Sequence, residues 1–150
     1  MRIILAYLCI PLFFAGSVAL AAESNPPYRF YFAQATENDI PSSDALSDFE
    51  CSQRIFAVAE FFAIERGPHS LVTQWFDPLG KKREQAESVF FFKDEPSRVW
   101  AWLKLHRPTG GALISLIDGA YGMEDFIGNW KVKFFLDKKP LQTLTFSVLC

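Results

Sequence analysis

The sequence predicts an all-β domain, an antiparallel β-sandwich of about seven strands. Three observations favour this fold. Short segments rich in aromatic and β-branched residues alternate between apolar and polar side chains, as strands with one buried face do. Turn signals built from Gly, Pro, Asp and Asn separate these segments about every ten residues. After Glu50 no segment repeats apolar residues at the 3.6-residue spacing of a helix.

Seven segments carry the strand pattern. They are residues 28–35, 55–64, 70–76, 83–92, 99–105, 130–136 and 141–149. The turn from Asp77 to Gly80 has Pro second and Gly fourth, which is typical of a β-turn. We expect residues 36–50 to form a long polar loop with a helical turn after Ser43, and residues 112–127 to hold a short strand with an irregular crossing.

The first 22 residues have the layout of a secretory signal peptide. Arg2 precedes an apolar stretch over residues 3–15, and Ala19-Leu20-Ala21 supplies the small-x-small cleavage pattern. The alternative is an uncleaved anchor, because the apolar run approaches the roughly 20 residues that span a bilayer. We expect cleavage after residue 21, a single exported, periplasmic domain over residues 22–150, and no membrane span in the mature chain.

The charge balance disfavours nucleic acid as a partner. The whole chain has a net charge of −2, and its basic residues are interspersed with acids rather than gathered in one stretch. A protein that binds nucleic acid needs an excess of Lys and Arg to neutralise phosphates. We therefore expect a partner of a different class.

Cys51 and Cys150 remain after signal cleavage and are expected to form a disulfide, because exported chains meet an oxidising environment. Cys51 precedes the strand predicted over residues 55–64, and Cys150 ends the last strand. An antiparallel relation between those two strands would bring both sulfurs to the same end of the sandwich. Neither cysteine has the spacing of a redox motif.

The second half of the chain carries an ordered set of residues. In sequence order these are His69, Trp75, Asp77-Pro78, Gly80, then Trp100 or Trp102, then Gly128-Asn129-Trp130-Lys131-Val132, and finally Phe146-Ser147-Val148. This order resembles the immunoglobulin-like β-sandwich modules of exported bacterial proteins, in which an H-x-x-x-x-x-W-x-x-P-x-G hairpin precedes a G-x-W-x-V strand and a closing F-x-V strand. The resemblance covers residues 61–150. It implies the fold and no particular activity.

The residues that could support metal binding are few and scattered. His69 and His106 are distant in sequence and the mature cysteines are expected to be oxidised, so no set of three or four zinc or copper ligands is in view. The acids of residues 36–50 lack the spacing and the glycine of a calcium loop. We predict no metal and no cofactor, and a turn-capping or surface position for His69.

The sequence also lacks the pattern of a catalytic nucleophile. There is no G-x-S-x-G elbow and no free cysteine beside a histidine. Glu60 is the one charge within a strongly apolar strand. It is either a buried acid with a raised pKa or a solvent-facing carboxylate paired with Arg54 or Arg98. The second interpretation is the commoner, and we predict that the protein is not an enzyme.

Trp100 and Trp102 are the candidate binding residues. Alternation along residues 99–105 places them on one face with Lys104, and places Ala101 and Leu103 on the aliphatic face that suits a core. Two tryptophans on a polar face could form a platform for a sugar or a protein. The alternatives are a central strand that is buried on both faces, or a loop after Gly110 that covers the indoles. Trp130 shares its face with apolar residues and is predicted to lie in the core.

These features together predict an exported, non-catalytic binding or accessory module that contacts another envelope protein. The alternative is a glycan or peptidoglycan binder that uses Trp100 and Trp102. A small hydrolase is a third and more distant possibility. An exposed sheet edge with an apolar patch favours the first, stacked tryptophans around an open groove favour the second, and a deep cleft that holds Glu60 beside another titratable group favours the third.

Overall fold

The computed structural model of the protein describes residues 26–105 and 124–150. The predicted signal peptide, His106 and most of the segment 112–127 lie outside this range. The described residues form eight strands and one short 3-10 helix. These are β1 (Tyr28–Gln34), β2 (Asp48–Glu50), β3 (Arg54–Phe61), β4 (Gly67–Phe76), β5 (Lys82–Phe92), β6 (Ser97–Lys104), η1 (Glu124–Phe126), β7 (Gly128–Leu136) and β8 (Lys139–Leu149). In this part of the chain no helix is long and apolar enough to cross a membrane.

The strands form two sheets. One has three strands in the order β1-β3-β6, and the other has five in the order β2-β8-β7-β4-β5. The all-β sandwich is therefore confirmed, with strands at all seven predicted segments. All strand pairs are antiparallel except one, the parallel pair of β2 with β8.

β2 corrects two expectations. Residues 36–50 were expected to form only a loop with a helical turn, but Asp48–Glu50 is a strand and no helical turn follows Ser43. The sheet is also not wholly antiparallel, because β2 runs parallel to β8. The physical reason is the burial of Phe49, which is 2% exposed and packs edge-on against Phe146 of β8. A three-residue strand between polar residues is too short to show alternation.

The core between the two sheets is rich in aromatic side chains. Phe30 of β1 stacks on Phe134 of β7 with ring centroids 4.4 Å apart, and Phe32 meets Phe146 at 4.8 Å. Trp130 is fully buried, as its predicted face requires, and donates its indole N–H to the carbonyl of Phe126 at 2.8 Å. The inward faces thus follow the alternation read from the sequence.

The turn between β4 and β5 is held by a buried carboxylate. The N–H of Gly80 donates to the carbonyl of Asp77 at 2.9 Å, which is the bond of the predicted β-turn. The Asp77 side chain accepts the N–H of Lys81 at 2.8 Å and pairs with Nε of Arg83 at 2.5 Å. Burial raises the pKa of Asp77, but these donors outweigh burial and hold the pKa below its ordinary value.

The hairpin between β7 and β8 turns on two residues with positive φ, Asp137 (50°) and Lys138 (69°). The Asp137 carboxylate accepts the N–H of Ser70 at 2.9 Å and contacts Nδ1 of His69 at 2.7 Å. The other ring nitrogen of His69 lies 2.7 Å from the carbonyl oxygen of Glu65. Both ring nitrogens face acceptors, so the protonated imidazolium satisfies the site, and the Asp137 carboxylate raises the pKa of His69.

The side chain of His69 is 10% exposed, and of the two expected positions, turn-capping or surface, it takes the first. It caps the β7–β8 turn from the start of β4, and this contact joins two hairpins of the five-stranded sheet. A histidine after a turn signal is usually solvated. Here the carboxylate that pairs with the ring belongs to Asp137, which is far along the chain, and the local sequence does not indicate that contact.

The predicted disulfide between Cys51 and Cys150 is present, and the two Cα atoms lie 5.5 Å apart. The route predicted for it is wrong. β3 and β8 belong to different sheets and do not pair. β2 runs parallel to β8, so the residue that follows β2 lies beside the end of β8, and the N–H of Cys51 donates to the carbonyl of Leu149 at 3.1 Å.

Candidate functional site

The outer faces of the two sheets have opposite character. The outer face of the five-stranded sheet is largely polar, with Gln74, Gln85, Lys131, Lys133, Thr143 and Thr145 at alternating positions. The outer face of the three-stranded sheet is largely apolar and carries Tyr31, Ala33, Phe56, Val58, Trp100 and Trp102. We call the second set the aromatic face.

The register arranges the aromatic face in two rows across the sheet. Tyr31, Val58 and Trp100 form one row. Ala33, Phe56 and Trp102 form the next. The residues of β1 and β3 in these rows are buried, whereas Trp100 is 38% exposed and Trp102 is 50% exposed. Exposure therefore concentrates at the β6 side of the face.

Among residues 26–105 and 124–150, β6 is an edge strand of the three-stranded sheet. The alternative of a strand buried on both faces is wrong, because Trp100 and Trp102 are partly exposed. The other alternative, cover by the loop after Gly110, concerns residues outside the described range. The aliphatic face was predicted correctly, since Ala101 and Leu103 are 6% and 8% exposed and pack in the core. The exposure that a binding platform requires is present at both indoles; binding itself stays a prediction.

A polar cluster borders the aromatic face at one end. The Glu60 carboxylate lies 3.7 Å from Arg98 and 3.9 Å from Arg29. The Tyr31 hydroxyl donates to Glu60 at 2.9 Å and accepts a hydrogen bond from Arg98 at 2.8 Å. Burial, together with the hydrogen bond to Glu60, raises the pKa of Tyr31.

This geometry decides between the two interpretations of Glu60. It pairs with Arg98, as one interpretation predicted, and not with Arg54, which pairs with Asp39. The carboxylate lies on the open face of a sheet between two guanidinium groups.

At the other end of the face, the Arg54 guanidinium lies over the Trp102 ring, 4.6 Å from the ring centroid. Its ion pair with Asp39 fixes it there. Four cations, Arg29, Arg54, Arg98 and Lys104, therefore surround the aromatic face against two acids, Glu60 and Asp39. The face is locally positive although the chain as a whole is acidic.

A groove of about 460 Å³ runs along the free edge of β6. Its walls are Glu84, Ala86 and Ser88 of β5 and the stretch from Trp100 to Lys104 of β6. β5 is the edge strand of the five-stranded sheet, so the groove lies where the two sheets face each other at their edges. We call it the edge groove.

Two further exposed apolar side chains lie on β5, namely Val89 (76% exposed) and Phe91 (53% exposed). Neither was among the site residues predicted from the sequence. Alternation with Gln85 and Glu87 places both on the outer, mostly polar face, and that pattern could have revealed them. With Trp100 and Trp102 they make both strands that flank the edge groove unusually apolar at the surface.

A second, more open depression of about 670 Å³ lies at the opposite side of the sandwich. It is lined by Pro26, Tyr28, Arg29, Phe30, Phe62 and Gln142. Only one of these groups is charged. In residues 26–105 and 124–150, no three His, Cys, Asp or Glu side chains gather into a possible metal site. The edge groove with the aromatic face beside it is therefore the better candidate.

No protein-family model and no curated protein matches this chain. Among solved structures, the crystal structure of a β-glucosidase from Listeria innocua is similar with a TM-score of 0.40 and 8% sequence identity. The match covers 81% of this chain and 16% of that one. The likeness to immunoglobulin-like modules of exported bacterial proteins thus stays a resemblance carried by the residues quoted above.

Proposed function

We propose that this protein is an exported, non-catalytic binding module that contacts another envelope protein through its aromatic face. One observation carries the proposal. Trp100 and Trp102 project side by side, partly exposed, from a strand that lies at a sheet edge among the described residues, on a sheet surface that is largely apolar. An exposed apolar patch of this kind, rimmed by polar residues, is typical of an interaction site.

The composition of the face supports a protein partner. Trp, Tyr and Arg are the residues that most often dominate the binding energy of protein interfaces. The aromatic face combines the exposed Trp100 and Trp102 with Arg54 and Arg98 at its two ends. The polar outer face of the five-stranded sheet has no comparable set among the described residues, so the partner should meet the three-stranded side.

Export is supported by the disulfide. Disulfides persist in oxidising compartments and are rare in the reducing cytosol, so a bond between Cys51 and Cys150 fits a chain with a signal peptide. A periplasmic location remains part of the proposal. Intact-mass measurement on the exported fraction should give a chain that begins at Ala22; a mass that retains residues 1–21 would contradict cleavage.

A glycan is the second candidate, because the two indoles border an open groove that also presents Ser88, Glu84 and Lys104. Sugars stack on the faces of indole rings and hydrogen bond to such polar groups. The position of Arg54 weighs against it. That guanidinium already lies over the ring of Trp102 and leaves less of the indole for a sugar.

The experiment uses three single variants of the mature protein, Trp100→Ala, Trp102→Ala and Phe62→Ala. Phe62 is a matched control, since it is 44% exposed and lies outside the aromatic face. Each protein is immobilised and incubated with the envelope fraction after mild cross-linking, and the captured proteins are quantified by mass spectrometry. We expect one protein to be captured by the wild type and by Phe62→Ala, and at least about tenfold less by the two Trp variants.

Stability must be measured in parallel. Trp102→Ala should cost about 2 kcal/mol, because half of the side chain is already in water and only the buried half contributes. Trp130→Ala removes a fully buried indole and should cost about 3–5 kcal/mol. Equal capture by wild type and both Trp variants would refute the proposal. Soluble peptidoglycan fragments that bind in a Trp-dependent way, without any captured protein, would favour the second candidate.

A further inference from the structure

The edge groove has an open row of backbone hydrogen-bonding groups. In the described residues β6 pairs only with β3 and β5 pairs only with β4. Half of the backbone N–H and C=O groups of each strand therefore point away from its sheet, toward the groove. Such an edge is a template for one more strand, and proteins commonly protect it with charge, bulges or covering segments.

Within the described residues, β6 has neither a proline nor a bulge to protect its edge, and its two cations lie at its ends. It is eight residues long. Its outward side chains include the exposed indoles of Trp100 and Trp102. An added strand would lie about 4.8 Å beyond β6, so its own outward side chains would rest beside those indoles.

The outward residues of β6 define the chemistry of that strand. In order they are Arg98, Trp100, Trp102 and Lys104, two tryptophans between two cations. Arg98 shares Glu60 with Arg29, and no described carboxylate lies within ion-pair distance of Lys104. A complementary strand has apolar side chains opposite the indoles and carboxylates opposite the cations. Its other side chains would face Glu84, Ala86 and Ser88 across the groove, so those side chains are uncharged and the carboxylates are confined to the outward side.

We propose that the edge groove accepts an extended, acidic segment of the partner protein as an added β-strand on β6, with apolar side chains on Trp100 and Trp102 and carboxylates at Arg98 and Lys104. This inference rests on the proposed function and specifies how the partner binds. Main-chain hydrogen bonds would supply affinity and the alternating side chains would supply specificity.

The test uses a capped seven-residue peptide, Glu-Thr-Val-Thr-Val-Thr-Glu, whose symmetric pattern can pair in either direction. Its control has Lys in place of both Glu residues. Two further peptides are N-methylated, one at the central odd positions and one at the even positions. Because alternate residues of a strand direct their N–H groups to opposite edges, one of these two must lose the bonds to β6 and the other must keep them.

Binding is followed by ¹H–¹⁵N NMR and amide hydrogen exchange on the mature protein. With peptide at about ten times its Kd, exchange of the edge-facing amides of β6 should slow about tenfold. The Glu peptide should bind more tightly than the Lys peptide. Lys104→Glu should reduce or reverse that preference, and one of the two N-methylated peptides should lose binding while the other retains it.

The outcomes separate this inference from the proposed function. Binding that ignores the N-methyl pattern, or that leaves β6 exchange unchanged, overturns strand addition. So does the absence of binding by every peptide while partner capture still depends on Trp100 and Trp102, and in that case the proposed function stands. Capture that is unaffected by the Trp variants removes the proposed function itself.

Discussion

Removal of the disulfide should destabilise the protein by about 2–5 kcal/mol. The perturbation is the double variant Cys51→Ser/Cys150→Ser, which leaves no free thiol to form dimers. The bond spans 99 residues in sequence, and in the chain-entropy model a loop of that length contributes roughly 4.7 kcal/mol by restricting the unfolded chain. Residual structure in the unfolded state lowers this loop-closure contribution, so the expected loss of stability is a range and not a single value.

The structure adds a local consequence. β2 has three residues and pairs only with β8, so the disulfide at the end of both strands fixes its position. Without the bond, β2 and the end of β8 should fray first, and Phe49 would gain access to water. Relative to the wild type, amide hydrogen exchange in the double variant should therefore accelerate more at residues 48–50 and 147–149 than in the centre of β7.

Urea unfolding followed by tryptophan fluorescence measures the effect, because Trp75 and Trp130 are fully buried in the folded state. The wild type in reducing buffer is the control and should match the double variant. The urea dependence of the unfolding free energy should also increase, since the unfolded chain without the cross-link exposes more surface. A loss below about 1 kcal/mol would refute the reasoning.

Two further sites give predictions. The raised pKa of His69 means that its contribution to stability is complete below the unfolded pKa of 6.5 and is lost as the pH rises through the folded value. His69→Gln should therefore reduce the decline of the unfolding free energy above pH 6.5, and identical profiles for variant and wild type would contradict this. Asp137 affects stability in the opposite direction of pH. Its pKa is lowered in the folded state, so its contribution to the unfolding free energy is complete above about pH 3.8 and is lost as the pH falls through the folded value. At the β4–β5 turn, Arg83→Ala leaves the buried Asp77 carboxylate without its ion pair and should cost about 3 kcal/mol in urea unfolding. Asp77→Ala should cost a similar amount, and a value near zero for both would show that the pair is not needed for the turn.

The strands could be predicted because alternation is local. In the segments over residues 28–35 and 130–136, every second side chain is apolar, and that period alone assigns the buried face. The turn at Asp77 was predictable for the same reason, since Pro and Gly restrict the backbone within four residues. β2 could not be predicted, because its three residues form a strand only where β8 is present to pair with them.

The candidate site was predictable in part. Alternation placed Trp100 and Trp102 on one face and Ala101 with Leu103 on the other. Both assignments are confirmed, because the two indoles are partly exposed and the two aliphatic side chains are buried. The exposure of the indoles depends on β6 being an edge strand. Edge or centre is a property of sheet order, which arises from pairing between segments far apart in the chain.

The sequence by itself determined the all-β class, the faces of its strands and the pairing of Cys51 with Cys150, because period, turn chemistry and cysteine content are properties of short segments or of composition. Only the tertiary structure decided that β2 runs parallel to β8, that His69 is enclosed by Asp137, and that β5 and β6 face each other across an open groove. Each of these depends on which distant segments come together, and burial of the aromatic core selects that arrangement for the molecule as a whole.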